Sequence, residues 1–418
     1  MVSSPLENDA SRPPTHERLF YGYRMKILYL SHTCPYPPNR GDRIRCYHIL
    51  AHLAKRHALT LVYPVFTDEH LEHLESLQPY CEAIFPVKYN RLSRYSFCCA
   101  SLFGNYPLSV ALFHSRKLQK LVRTLSPDFT LADCSTMAPY AIDLPCPKIL
   151  DFVDIDSQKW HFFSEMTHFP YSQIYQLESK RLSRFEHFLA HRFDYCLVTS
   201  QYEKSLLSKF SNIIALPNGV DQEYFSTQTI PVEENIIFTG VMNYFPNSDA
   251  VLHFHHNIFP LIKSKAPSAR FIIAGMHPTA QIRALADRDT TVTGFIPDIR
   301  EYLSRASVCV VPLRIAMGVQ NKILEAMAMG VPVVATSTAN RGINATHGRE
   351  IVVADDPASF ADATISLLKD QQLRESITEN AKTFIEQNFS WEKNLRRLDE
   401  LISQAVGRPM VHRNTSSH

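Results

Sequence analysis

The chain is defined first by features it does not have. Its 43 lysines and arginines nearly balance 41 aspartates and glutamates, and a formal net charge of +2 gives no electrostatic footprint for nucleic acid. None of its nine cysteines, at 34, 46, 81, 98, 99, 134, 146, 196 and 309, forms a C-x-x-C pair, so a structural zinc site has no support. They are odd in number and sit mostly in apolar segments, as small buried hydrophobes do in a reducing compartment. No segment approaches the roughly 18 apolar residues of a membrane span. Residues 1–24, with Pro5, Pro13 and Pro14, lack the apolar core of a signal peptide. Together these absences predict a cytoplasmic protein with a disordered leader at 1–24 and a disordered tail at 406–418. Neither G-x-G-x-x-G nor a P-loop is present, so dinucleotide redox chemistry and ATP hydrolysis lose ground.

What is present is an α/β alternation that runs, stops and begins again. At 418 residues two domains are expected, and 45% hydrophobic with 20% charged residues lies in the globular range. Apolar runs at 25–31, 59–66, 83–87, 128–134, 148–153, 195–199 and 213–216 predict strands. Helical spacing separates them at 42–56, 69–77, 177–193 and 202–210. After 217 the pattern restarts, with strands at 235–239, 269–274, 290–293, 308–313 and 331–335. Its helices are predicted at 249–262, 320–329, 358–370 and 373–387, and a last one runs from Trp391 to about 405.

The stretch 311–336 carries the chemistry. An apolar strand leads through a polar turn holding Gly318 into a helix, and a second strand follows Gly330 at once. Such units bind anions where the first strand gives way to the helix, whose free N–H groups and positive dipole end face the ligand. Lys322 and Glu325 share one helix face, cation in the first turn and carboxylate one turn deeper, and Arg314 precedes the loop. This suits a diphosphate attached to a ribose, whose hydroxyls a carboxylate accepts. The plainer reading is a buried helix with a solvated Lys–Glu pair.

The string K-I-L-E-A-M-A-M-G-V-P-V-V-A-T at 322–336 resembles glycosyltransferase family 4, which reads K-x-L-E-A-M-A-x-G-x-P-V-V-A. The resemblance implies the GT-B fold: α/β, two facing Rossmann-like domains with parallel sheets and a deep cleft between them. It implies an acceptor domain at 25–217, a nucleotide-sugar domain at 218–387, and a helix at 388–405 that packs back on the first, anchored by Trp391. P-N-G-V-D at 217–221 resembles the crossover between the domains. P-Y-P-P-N-R-G-D-R-I-R at 35–45 is similar to a bacterial exopolysaccharide subgroup associated with PEP-CTERM sorting systems.

The implied activity is retaining, metal-independent transfer of a sugar from a UDP- or GDP-sugar, without a cofactor, to a glycan or lipid-linked acceptor. The inner membrane surface is an expected partner and nucleic acid is not. Lys322, Arg314 and Asp154 are the expected catalytic residues. Donor contacts are expected from Glu325, Gly318, Gln320, Asn321, Gly240, Gly294, Phe295 and Gly41, and sugar or acceptor contacts from Asn39, Arg40, Arg43 and Asp156. Two departures matter. The first of the family's paired motif glutamates is here Met317, and Gly240 is followed by Val241, Met242, Asn243 and Tyr244 rather than by the usual cations, so Arg314 and Lys322 must carry that charge. A nucleotide-sugar epimerase of the same fold and a non-catalytic nucleotide-sugar binder are the alternatives.

Three local ambiguities stay open. Asp154-Ile155-Asp156 spells the D-x-D that holds a divalent metal in the other large glycosyltransferase fold, and Asp156 or Ser157 also suits a helix cap. Arg40 and Arg43 also read as solvated loop cations. The segment 91–107, alternating arginines and aromatics, reads either as a membrane-surface segment or as a partly buried helix.

Overall fold

The computed structural model describes residues 24–67, 71–89, 91–102, 104–226, 230 and 234–407, without the side chains of 91–94 and 96. Continuous Val/Ile/Leu runs need apolar cover on both faces, and they assemble into two parallel sheets. The first contains β1 (Lys26–Leu30), β2 (Ala58–Val65), β3 (Ala83–Lys88), β4 (Phe129–Asp133), β5 (Lys148–Val153), β6 (Tyr195–Val198) and β7 (Ile213–Ala215), in the order β3-β2-β1-β4-β5-β6-β7. The second contains β8 (Asn235–Thr239), β9 (Arg270–Ala274), β10 (Thr290–Gly294), β11 (Val308–Val311), β12 (Val333–Ala335) and β13 (Val352–Val353), in the order β10-β9-β8-β11-β12-β13. Both are doubly wound, and their strand order reverses at β1/β4 and at β8/β11, where such sheets bind ligands outside the carboxyl ends of the strands.

Alternation along β1 distributes the first core. Ile27 and Tyr29 enter one apolar layer, Leu28 and Leu30 the other. The C-terminal helix Trp391–Val406 completes the first layer with Leu395, Leu398, Leu401 and Ile402, all buried beside Ile27. Each such side chain contributes about 1.5–3 kcal/mol, enough to hold the helix on the first sheet although it follows the second in sequence. Tyr195 donates to Gln404 Oε1 at 2.8 Å, and Trp391 stacks on His48 with ring centroids 4.3 Å apart.

Several elements differ from expectation. The helix predicted at 249–262 is three pieces: Phe245–His253, a π-helical turn Phe254–Ile258 and Phe259–Lys265. Pro260 lies in the first turn of the last piece, where its missing N–H is tolerated but cannot continue the earlier ladder. The helix predicted at 69–77 is the single turn Leu74–Leu77, followed by a 3-10 turn at Gln78–Tyr80. The leader at 1–23 and most of the tail lie outside the described residues, while the segment predicted at 91–107 contains the helix Arg91–Ser101 and the single turn Leu108–Ala111 follows it. No helix among the described residues is long and apolar enough to cross a membrane. All nine cysteines are free thiols.

Candidate active site between the two sheets

The loop after β11 leads into the helix Asn321–Ala328, whose N-cap, Gln320, lends no side-chain cap because its amide donates to Met317 O at 2.7 Å. Lys322 points from the first turn toward the end of β8. Its Nζ donates to Asn247 Oδ1 at 2.6 Å and lies 4.2 Å from the Phe238 ring centroid. Gly240 makes this possible: a Cβ there would lie 2.8 Å from Asn247 Nδ2 and 3.1 Å from Lys322 Nζ, and the backbone holds φ at +152°. Burial lowers the Lys322 pKa to about 7, against the pull of Cys309 and Glu325. Burial raises the Glu325 carboxyl to about 7, with Lys322 acting the other way and Asp221 adding to the rise. The pair sits in low dielectric, where an arriving diphosphate or ribose would restore full charge to each.

Arg314, also expected at the diphosphate, already has a partner. Its guanidinium forks onto Asp249, with Nε 2.8 Å from Oδ2 and Nη2 on Oδ1, on the helix that follows the β8 loop. Its charge is thus paired with a carboxylate of the same domain, and a diphosphate contact of the kind expected of it would share the guanidinium with Asp249. Gly294, with φ +73°, and Phe295, 64% exposed, lie at the end of β10, two strands out from the reversal.

The first sheet brings its own reversal to the same place. Gly41 opens the helix Gly41–Ala54, whose N-cap Arg40 makes no side-chain cap, and a Cβ on Gly41 would stand 3.7 Å from Asn321 Nδ2. Asn218 Nδ2 donates to Asn321 Oδ1 at 3.0 Å. Two helix N-termini thus face each other across the domain boundary, an arrangement suited to an anion. Gly318, at φ +57°, presses against the first domain: a Cβ there would overlap Asp154 Oδ1 and lie 2.6 Å from Thr199 Oγ1. Asp154 and the Gly318 loop are therefore in direct apposition, and burial raises the Asp154 carboxyl to about 6, with Lys159 opposing and Asp156 adding to the rise.

The structure also resolves the capping question. The helix Asp156–Met166 has Ile155 as N-cap without a side-chain cap. Glu203 accepts from Ile155 N at 3.0 Å and Glu186 from Ser157 N at 2.9 Å, so neither Asp156 nor Ser157 supplies the cap. Asp156 instead pairs with Lys159, a residue that the sequence reading missed. Burial acts to lower the Lys159 pKa, but Asp156, the Tyr244 hydroxyl from the β8 loop and Asp154 hold it above the usual lysine value. D-S-Q-K, with the cation one turn after the carboxylate, was the available signal.

Asn39 is exposed, Arg40 pairs with Asp42 at 2.9 Å, and Arg43 is only 4% exposed, which removes the solvated-cation reading for Arg43. Arg45 was also missed. At 1% exposure it grips Asp151 through Nε at 2.6 Å and Nη2 at 3.1 Å, and donates to Leu216 O and Asn218 Oδ1. The crossover is thereby tied to the end of β5 and, through Asn218, to Asn321. At the β1/β4 reversal His32 Nδ1 lies 2.5 Å from Asp133 Oδ2, and Cys134, in the left-handed region at φ +64°, brings Sγ to 3.5 Å from the same nitrogen. Ligand atoms of these three lie within 4.8 Å of one another, which among the described residues makes them the group able to hold a metal ion.

Residues 233–370 match the family model for glycosyl transferases group 1. The chain is 22% identical over 393 residues to an uncharacterized 44.6 kDa protein in the cps region of Klebsiella pneumoniae, covering 88% of this chain and 97% of that protein. Among solved structures it superposes on sucrose-phosphate synthase from Thermosynechococcus elongatus with a TM-score of 0.67 at 16% identity, over 91% of this chain and 99% of that one. It superposes on Anabaena Alr3699/HepE in complex with UDP-glucose with a TM-score of 0.66 at 16% identity, over 91% of this chain and 100% of that one. Residues 233–370 thus match a glycosyl transferases group 1 domain, within a chain that has the two-domain GT-B fold.

Proposed function

We propose that the chain is a retaining glycosyltransferase that takes a sugar from a nucleotide-diphosphate donor and passes it to a hydroxyl of a glycan or lipid-linked acceptor in polysaccharide biosynthesis. One observation carries the reading: two uncapped helix starts, at Gly41 and Asn321, oppose each other beside Lys322, with Asp154 against Gly318. The diphosphate lies at the Asn321 helix start with Lys322 against it, and Glu325 takes the ribose hydroxyls. As the glycosidic bond breaks, the leaving diphosphate gains charge, and a cation aimed there acts most in the transition state. Asp154, against the anion loop, meets sugar or acceptor hydroxyls, and Lys159 holds Asp156 beside it. The UDP-glucose held by the Anabaena protein and the cps-region setting of the Klebsiella protein support the donor class and the pathway.

Incubation with a panel of UDP- and GDP-sugars tests the proposal. Transfer to an added glycan, or slow hydrolysis that releases the sugar as its α-anomer, is the expected result. Release of a donor with an inverted sugar stereocentre would make it an epimerase, and tight binding without turnover would make it a sensor.

A further inference from the structure

We infer that the helix Tyr171–Ala190 and the helix beside it form a docking surface for an anionic lipid bilayer. Tyr171, Ile174 and Leu177 recur at the spacing that lines one helix face, and Ile174 and Leu177 are 46% and 47% exposed. Phe169, in the turn before this helix, is 76% exposed. The second helix, Arg91–Ser101, adds Tyr95 at 60% and, just past its end, Leu102 at 50%. The end of this second helix is fastened to the first, since Arg181 donates to Leu102 O at 2.8 Å, and Glu178 holds the next turn, Leu108–Ala111, by accepting from Leu108 N at 2.8 Å. A contiguous patch of large apolar side chains on a surface marks an interaction site.

Charge selects the occupant. The helix Tyr171–Ala190 carries two glutamates, and both turn inward, Glu178 to the 108–109 backbone and Glu186 to Ser157. The exposed Lys and Arg of the helix, Lys180 and Arg184, continue the same stripe as Ile174 and Leu177. An apolar stripe running into cations, with its acidic residues withdrawn, fits the boundary between headgroups and acyl chains of an anionic membrane. A second copy of this chain fits worse, because a two-fold contact would bring like charges together. The patch also adjoins the cleft. Tyr175 of the same helix lies 5.1 Å, ring centroid to centroid, from Trp160 of the helix that Asp156 opens. A lipid-linked acceptor held in such a membrane would enter beside Asp154 and Asp156.

For its purpose the inference rests on the proposed transferase activity, but its test does not. Flotation of the full-length protein, without donor or acceptor, is compared between phosphatidylcholine vesicles and vesicles that also contain phosphatidylglycerol. Binding to the anionic vesicles that weakens with salt is expected. I174E/L177E should reduce it by about tenfold or more, and K180A/R184A by roughly thirtyfold, at about 1 kcal/mol per cation. These side chains are exposed, so thermal midpoints should hold; where the first variant fails to fold, the second decides. Equal flotation of both variants, or no flotation of the natural chain, overturns the inference. So does a dimer in solution that I174E/L177E dissolves without any vesicle binding.

Discussion

Lys322 combines two properties: it is desolvated against Phe238 and Asn247, and it sits in the first turn of a helix whose N-terminus has no side-chain cap, which favours negative charge. Lys322→Ala should lower kcat by at least about tenfold with a smaller change in donor KM, because a transition-state contact to charge is worth more than about 1.4 kcal/mol. Arg314→Ala should change either parameter by less than about threefold, since Asp249 already neutralises it. Equal losses in the two variants would show that the forked ion pair opens to admit the donor. Glu325→Ala should weaken donor binding by about tenfold or more in calorimetry, the cost of a hydrogen bond to a charged group. Unchanged affinity would remove Glu325 from the ribose. The depressed pKa of Lys322, about 7, also predicts proton linkage. A bound diphosphate favours the charged lysine and raises its pKa, so above about pH 7 binding takes up a proton and donor affinity falls, by up to about tenfold per pH unit. Calorimetry at pH 8 in buffers of different ionisation enthalpy reads that uptake directly, and identical heats in all buffers would contradict it.

At the scale of the element, the loop between β11 and the helix Asn321–Ala328 has little freedom. Gly318 meets Asp154 and Thr199 on one side, and on the other Gly342 leaves no room for a Cβ against the Gly318 carbonyl. Gly318→Ala adds left-handed strain, about 1–3 kcal/mol, and pushes the loop off Asp154. Turnover should fall by more than about tenfold while the thermal midpoint drops only a few degrees. Unimpaired turnover would mean that the Asp154–Gly318 apposition has no part in catalysis. The segment 322–336 was legible in advance because its determinants are local: two strands, a glycine turn and an i,i+3 pair need no knowledge of neighbours. The pairing of Arg314 with Asp249 was not, since it depends on β8 lying beside β11, which the order of strands in the chain does not reveal.

At the scale of the whole molecule, two doubly wound sheets meet with their reversals facing, and the C-terminal helix fixes the second domain to the first. On the proposed reading Lys322 supplies the positive charge that a metal-dependent enzyme would take from a divalent ion on the diphosphate, so transfer should survive excess EDTA. Asp154→Asn should impair transfer while nucleotide binding, measured by calorimetry, persists. Complete loss of activity in EDTA, with recovery on adding Mn²⁺, would overturn the role given to Lys322 and return Asp154 and Asp156 to the metal reading.

The sequence by itself determined the α/β alternation, its restart after residue 217, and the strand-loop-helix that carries Lys322 and Glu325, because periodicity and i,i+3 spacing are properties of a short segment. Tertiary structure alone decided which charges are available there. It took Arg314 to Asp249, set the Asp156–Lys159 pair of the first domain against the Tyr244 loop of the second, and buried Arg45 on Asp151, more than a hundred residues away in the chain. Whether a cation is free or paired depends on its neighbours in space, which are set by strand order and by how the two sheets face each other, and neither is written in any local run of residues.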